Sequence, residues 1–163
     1  MIITKTIHKK IVIRLAEIRD VLVITQFNQA MAFETEKKEL IPKVVSKGVT
    51  KILKNSNFGF YVIAERNKEV IGSLMVTTEW SDWRNGMFWW IQSVYIKPDE
   101  RRKKIYTQLY NFVKESAKNN PSICGFRLYV ENENILAKNT YEALGMMETG
   151  YRIYEELKPE THK

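Results

Sequence analysis

The chemistry-bearing stretch of this chain is SVYIKPDERRKKIYTQLY, residues 93–110. An extended apolar run meets a Pro98–Asp99–Glu100 turn, then four consecutive basic residues, Arg101, Arg102, Lys103 and Lys104, then the start of an amphipathic helix. A helix that begins just past a strand end presents unpaired backbone N–H groups and the positive end of its dipole. The basic run adds formal charge at that point, so the arrangement suits a docked anion such as a phosphate. Read alone, the same stretch also suits a solvated basic bend. It is neither a Walker loop nor a dinucleotide fingerprint, both of which need glycines that it lacks.

The elements that must position this turn follow from periodicity. IVIRLA, residues 11–16, reads as an opening strand. Ile18, Val21, Leu22 and Thr25 have helical spacing and predict a first helix to about Ala32. A second helix is expected from about Glu39, with Pro42 in its first turn, where a missing donor is harmless. FGFYVIAE and EVIGSLMVTTEW read as strands joined by a hairpin at RNK, and MFWWIQSVYIKP as a long strand ending at Pro98. From Arg101, the stripe Ile105, Leu109, Phe112, Val113 and Ala117 predicts a helix with one apolar face. CGFRLYVE is expected as a strand, NILAKNTYEALG as a short helix stopped by Gly145, and MMETGYRIYEEL as a final strand or hairpin. The order β-α-α-β-β-β-α-β-α-β implies an α/β mixed central sheet of about six to seven strands, with helices on both faces. The long strand, the helix after it and the next strand form a crossover whose two strands run parallel.

Composition bounds the function. At 163 residues with 44% apolar residues, the chain suits one domain spanning 1–163 around a single core. The net charge of +7 admits three readings, namely nucleic acid, an anionic small ligand or mere solubility. No zinc-finger spacing, helix-turn-helix signature or stacking RNA motif accompanies the charge, so nucleic acid is not expected as a partner. The lone cysteine, Cys124, cannot form an internal disulfide and is expected as a buried filler. No metal-ligand spacing is visible, and no nucleophile–histidine arrangement, with His8 and His162 near the ends of the chain. The absence of a signal peptide or a long apolar run predicts a cytoplasmic protein that does not engage a membrane.

Two motifs in the right order give the chain a resemblance to the GNAT N-acetyltransferase superfamily over nearly its whole length. VYIKPDERRKKIYTQLY is similar to the superfamily's Arg/Gln-x-x-Gly-x-Gly/Ala turn, with Arg101 at the leading position, Lys104 at the first glycine and Tyr106 at the second small residue. NENILAKNTYEALGM resembles a downstream Asn-x-x-Ala-x-x-x-Tyr-x-x-Leu-Gly-Phe/Met pattern at Asn134, Ala137, Tyr141, Leu144, Gly145 and Met146. The resemblance implies acetyl-coenzyme A as acyl donor. Its pyrophosphate would rest on the N–H groups of Arg102, Lys103, Lys104, Ile105, Tyr106 and Thr107. Its pantetheine arm would follow the splayed strand at Val94, Tyr95 and Ile96 and bond backbone groups of Val94 and Ile96. Asn134 lies where relatives often contact the cofactor arm, and Tyr141 where they place the acid that protonates the departing thiolate. Tyr141 also has a plain structural reading, as a core aromatic on one helical face with Ala137 and Leu144. With lysine at the first glycine, the turn is expected in a helical first-turn conformation that still donates its N–H, with altered cofactor affinity.

Many relatives place a glutamate on the fourth strand as proton acceptor, where this chain has Gln92, which cannot serve. The remaining carboxylates near the acceptor end are Glu79, Asp82, Glu34 and Glu36. Glu79 is the candidate base, because it ends an apolar strand beside Trp80 and a hairpin brings it toward Trp89 and Trp90. Partial desolvation there would raise its pKa. Trp89 and Trp90 alternate faces, so at least one of the tryptophans is expected to line an acceptor groove, and aromatics with carboxylates favour a cationic acceptor. The reading is transfer of acetyl to a primary amine of a small molecule or peptide, by a monomer or homodimer. A non-catalytic acetyl- or acyl-coenzyme A binding module is the alternative, motivated by Lys104 and Gln92.

Overall fold

The computed structural model describes residues 10–158. They fall into two compact units that divide between Tyr129 and Val130. The first unit holds a five-stranded sheet in the order β1-β2-β3-β4-β5, built from β1 (Val12–Leu15), β2 (Phe60–Arg66), β3 (Glu69–Ser81), β4 (Gly86–Ile96) and β5 (Ile123–Arg127). Neighbours run antiparallel except β4 and β5, which are parallel as the crossover pattern requires.

Helices α1 (Val21–Glu36) and α2 (Pro42–Lys54) lie on one face, where Ile24, Phe27 and Val49 close over Tyr61, Ile63, Val70 and Tyr95. Side chains alternate along a strand, so Val62, Leu74 and Val76 face the other way. That second face is covered by α3 (Ile105–Lys118), whose buried stripe is Ile105, Leu109, Tyr110, Val113 and Ala117. Gly72 lets the start of α3 sit close, since a Cβ there would come within 2.5 Å of Ile96 Cδ1 and 3.4 Å of Ile105 Cγ2.

β1 is pinned to its surroundings by Arg14, which donates to Asp20 (2.8 and 3.0 Å) and to Glu65 of β2 (2.8 Å). Asp20 is buried, and burial pushes its carboxyl up. The Arg14 guanidinium and the Glu17 N–H (2.7 Å) outweigh that penalty and hold it below its ordinary value.

The second unit contains α4 (Ile135–Ala143), with Gly145 at φ +91 just past its end, where a side chain would be strained. Lys138 pairs with Glu148 at 3.4 Å.

Four expectations need correction. The sheet has five strands because MMETGYRIYEEL forms none, and Tyr151, Tyr154 and Leu157 stand exposed. Alternating apolar residues supply strand propensity, but a strand exists only with a ladder partner, and this segment has none among the described residues. The first helix runs past Ala32 to Glu36 and ends where Lys37 turns left-handed (φ 55). The third helix starts at Ile105 rather than Arg101. Cys124 is exposed, because β5 is an edge strand and leaves one of its sides uncovered.

Candidate active site

The basic turn is built by backbone conformation as much as by charge. Lys97 N–H donates to Ile71 O (3.0 Å), which ties the end of β4 to β3 before a short 3-10 turn at Pro98–Glu100. Arg102 (φ 63) and Lys104 (φ 58) then take the left-handed conformation, and Gln108 N–H to Lys104 O (3.2 Å) is the first helical bond of α3. Lys104 is therefore not in the helical first turn as expected. It stands at the helix N-cap in the left-handed region, which glycine enters without steric cost and lysine does not. A turn that passes through left-handed residues is one way for backbone N–H groups to form an anion-binding concavity.

The four basic side chains divide into two pairs. Lys103 reaches the buried Glu100 at 3.3 Å, which is itself held by Arg66 at 2.8 Å. Arg101 donates through Nη2 to Glu34 Oε2 (2.6 Å) and through Nε to Ile96 O (3.0 Å), and lies over the Tyr95 ring. Tyr95 donates its hydroxyl to the other Glu34 oxygen at 3.0 Å; burial, then Glu34, pushes its phenol pKa up. Arg102 and Lys104 make no ion pair among the described residues.

Beside this turn, the sheet opens. β4 and β5 are paired from Met87–Ile123 to Trp90–Arg127, and there the ladder stops although β4 continues to Ile96. On its other edge β4 carries a bulge: Met75 faces Gln92 and Ser73 faces Tyr95, so β4 has one extra residue, with Ser93 left-handed at φ 48. A bulge bends its strand and sharpens the twist, which turns 91–96 away from the course of β5. Val94 and Ile96 thus lie on a strand edge with no partner strand on the β5 side among the described residues. The Ile96 carbonyl is the exception within this edge, being occupied by Arg101.

At the last rungs before the fork, one sheet face carries polar groups. Glu79 Oε1 accepts from Arg127 Nη1 at 2.7 Å, and Glu79 Oε2 accepts from the Trp90 indole N–H. The Arg127 guanidinium lies 3.7 Å above the Phe88 ring centre, and Gln92 donates to Thr77 Oγ1 at 3.0 Å. Trp90 meets Tyr129 at 6.3 Å, tilted, and is half-buried. Trp89 points the other way into the core, against Phe60 and Phe126. Trp90 is thus the tryptophan on the open face, while Trp80 (57% exposed) and Trp83 (84%) sit at the hairpin in solvent.

Sequence reasoning placed Glu79 beside Trp90 but missed Arg127 and the task of Glu34. Arg127 shares a face with Gly125 and Tyr129 at two-residue spacing in β5 and its continuation; only the register against Trp90 shows what it meets. Of the other carboxylates, Asp82 caps the hairpin by accepting from Trp83 N–H at 2.8 Å.

In the second unit, Asn134 caps α4, its side-chain oxygen accepting from Ala137 N–H at 3.1 Å. Its amide N–H groups remain as donors. Tyr141 is half-buried in α4, and burial pushes its phenol up from the ordinary 10.0. Among the described residues no group of three or more His, Cys, Asp or Glu is placed to hold a metal ion. No described helix is long and apolar enough to cross a membrane.

The fold has close counterparts. A crystal structure of a possible acetyltransferase from Clostridium difficile 630 is 46% identical, superposes with a TM-score of 0.83, and covers 91% of this chain and 97% of its own. A predicted acetyltransferase with acetyl-CoA from Clostridium acetobutylicum is 18% identical with a TM-score of 0.76, covering 94% of this chain and all (100%) of its own. Glucosamine-6-phosphate N-acetyltransferase from Arabidopsis thaliana, also 18% identical, has a TM-score of 0.70 and covers 92% of this chain and 100% of its own. At that identity the last two show the shared fold alone. No curated protein sequence matches the chain. The model of the acetyltransferase (GNAT) family matches residues 24–146, which take in the opened sheet, the left-handed turn and Tyr141. The chain belongs to the GNAT acetyltransferase family.

Proposed function

We propose that the protein transfers acetyl from acetyl-coenzyme A to the primary amine of a small molecule or peptide by direct attack of the amine, acting in the cytoplasm as a monomer or homodimer. The observation that carries this reading is the parting of β4 from β5 after Trp90–Arg127, next to a left-handed basic turn at the mouth of α3. One feature would take a linear thioester arm and the other a diphosphate. When bound, acetyl-coenzyme A supplies an activated acetyl thioester.

The chain's own residues supply the rest. The N–H groups from Arg102 to Thr107, Lys104 included, together with the uncommitted charge of Arg102, are the proposed diphosphate site. Lys103 and Arg101 act there through their backbone and through the carboxylates that fix them, which leaves the turn preformed. Backbone groups of Val94 and Ile96 are the proposed partners of the pantetheine amides, with Tyr95 packed between them; for Ile96 the carbonyl is reached only by displacing Arg101 Nε. Asn134 is proposed to contact the same arm through its amide N–H. Glu79 is proposed to take the proton of the attacking amine. A carboxylate has about four lone-pair sites, so the two bonds from Arg127 and Trp90 leave room for the amine. Tyr141, neutral far above physiological pH, is proposed to return a proton to the thiolate.

Thiol release measured over a panel of small amines, antibiotics and peptides, alongside acetyl-coenzyme A calorimetry, tests this reading. Turnover with at least one amine is expected. Tight acetyl-coenzyme A binding with no thiol release from any amine would instead favour a non-catalytic binding module. Two observations speak for that second reading: Lys104 holds the strained left-handed position, and Gln92 is bonded to Thr77 where relatives often carry an acid.

A further inference from the structure

Arg127 is held rigidly for a half-exposed residue. Its guanidinium is stacked 3.7 Å over Phe88 and bonded to Glu79 at 2.7 Å, and Glu79 is anchored in turn by the Trp90 indole. Exposed ion pairs normally forfeit their gain to side-chain entropy, and stacking plus a second anchor removes much of that loss. Only Nη1 is committed to Glu79 among the described residues, so the remaining N–H groups of the fork are unspent. The side chains of Arg127 and Glu79 are 33% and 41% exposed, so solvent and ligand reach both. Their position is specific: Trp90–Arg127 is the last paired rung before β4 and β5 separate.

We propose that Arg127 is a specificity-determining residue that recognises an anionic group on the acceptor, so that the acceptor class is amines carrying a carboxylate or phosphate within a few bonds of the nitrogen. This rests on the acetyl-transfer reading only for the place where the acetyl group arrives. A neighbouring Glu79–Arg127 pair offers a carboxylate to the ammonium and a guanidinium to the anion, a charge arrangement that a zwitterion completes and a simple amine leaves half used. A guanidinium fork matches two anionic oxygens at once, which a lysine in its place would not. Trp90 and Tyr129 beside it supply flat apolar surface for the short linker between the two charges.

Matched pairs read the effect directly: L-phenylalanine against 2-phenylethylamine, and phosphoethanolamine against ethanolamine, each titrated calorimetrically into the coenzyme A-saturated and the free protein. At least one anionic member is expected to bind tenfold or more tighter than its neutral counterpart, and the two pairs distinguish carboxylate from phosphate. Arg127→Gln should bring that ratio to about one, and Arg127→Lys should restore only part of it. Glu79→Gln, which keeps the guanidinium and removes its competitor, should raise the preference for the anionic member even where Arg127→Gln folds poorly. Equal binding of both members, a preference that survives Arg127→Gln, or no binding of any of the four overturns the proposal. Acetyl-coenzyme A titrated into the same protein reports separately on the acetyl-transfer reading: if it fails to bind while the anion preference holds, that reading falls and the role of Arg127 stands.

Discussion

Glu34 and Arg101 lie 67 residues apart in sequence and meet at 2.6 Å, joining the last turn of α1 to the basic turn ahead of α3. The same carboxylate accepts from the Tyr95 hydroxyl, so one side chain fixes both the turn and the bulged end of β4. The pair is exposed enough that its contribution to global stability is about 1 kcal/mol or less. Its effect on the ligand is expected to be larger than that. Glu34→Gln should shift the melting temperature by only a few degrees while weakening coenzyme A binding about three- to tenfold, read by calorimetry. An unchanged dissociation constant would show that the turn holds its shape without this clamp.

Lys104 carries a side chain at φ 58. A non-glycine residue there costs on the order of 1 kcal/mol, and glycine returns part of that through the flexibility of the unfolded chain. Lys104→Gly should therefore stabilise the fold by about 0.5 kcal/mol, seen as a higher urea midpoint at unchanged slope. It should leave acetyl-coenzyme A affinity equal or tighter, because the N–H geometry persists and bulk is removed. Binding weakened tenfold would assign the Lys104 ammonium a direct part in holding the diphosphate.

The start of α3 was readable in the sequence in part and hidden in part. The buried stripe Ile105, Leu109, Val113 and Ala117 is a local pattern, and the helix it predicts forms within a few residues of its expected start. The left-handed angle of Lys104 is invisible in its residue type, since glycine is the usual marker of such a position and lysine carries none of that signal. The meeting of Glu79 with Trp90 was legible because the two lie on the strands of one hairpin. Arg127 was not, because its meeting with Glu79 depends on how β5 registers against β4, and periodicity fixes a face but not a register. The segment 146–157 failed for a related reason: alternation reports propensity and is silent on whether a partner edge is available.

Acid sensitivity is expected to concentrate at Asp20. Its burial disfavours the charged form, yet Arg14 and the Glu17 N–H hold the folded-state pKa below the ordinary 3.8. The resulting stabilisation is present above about pH 4 and is lost as pH falls through the lower folded value. Asp20→Asn should cost about 2 kcal/mol at pH 7, since Arg14 keeps Glu65 but loses a two-pronged partner. Urea unfolding of both proteins at pH 7 and pH 2.5 should show the gap between them narrowing at the lower pH. A gap that stays constant would mean that Asp20 contributes through shape rather than charge.

Tyr141 gives the proposed reaction a pH signature. Burial raises its phenol above 10.0, so the proton it would donate is retained across the physiological range. A general acid is lost as pH rises through its own pKa, which puts any alkaline fall in kcat from this residue above pH 10. Tyr141→Phe keeps the ring and removes the proton. It should lower kcat about a hundredfold, the usual scale of general acid catalysis, and abolish the alkaline limb. The acetyl-coenzyme A dissociation constant should stay within about twofold, because a transition-state proton transfer contributes nothing to ground-state binding. A parallel loss of binding and turnover would point to packing of α4 instead, and unchanged kcat would leave the thiolate to take its proton from water.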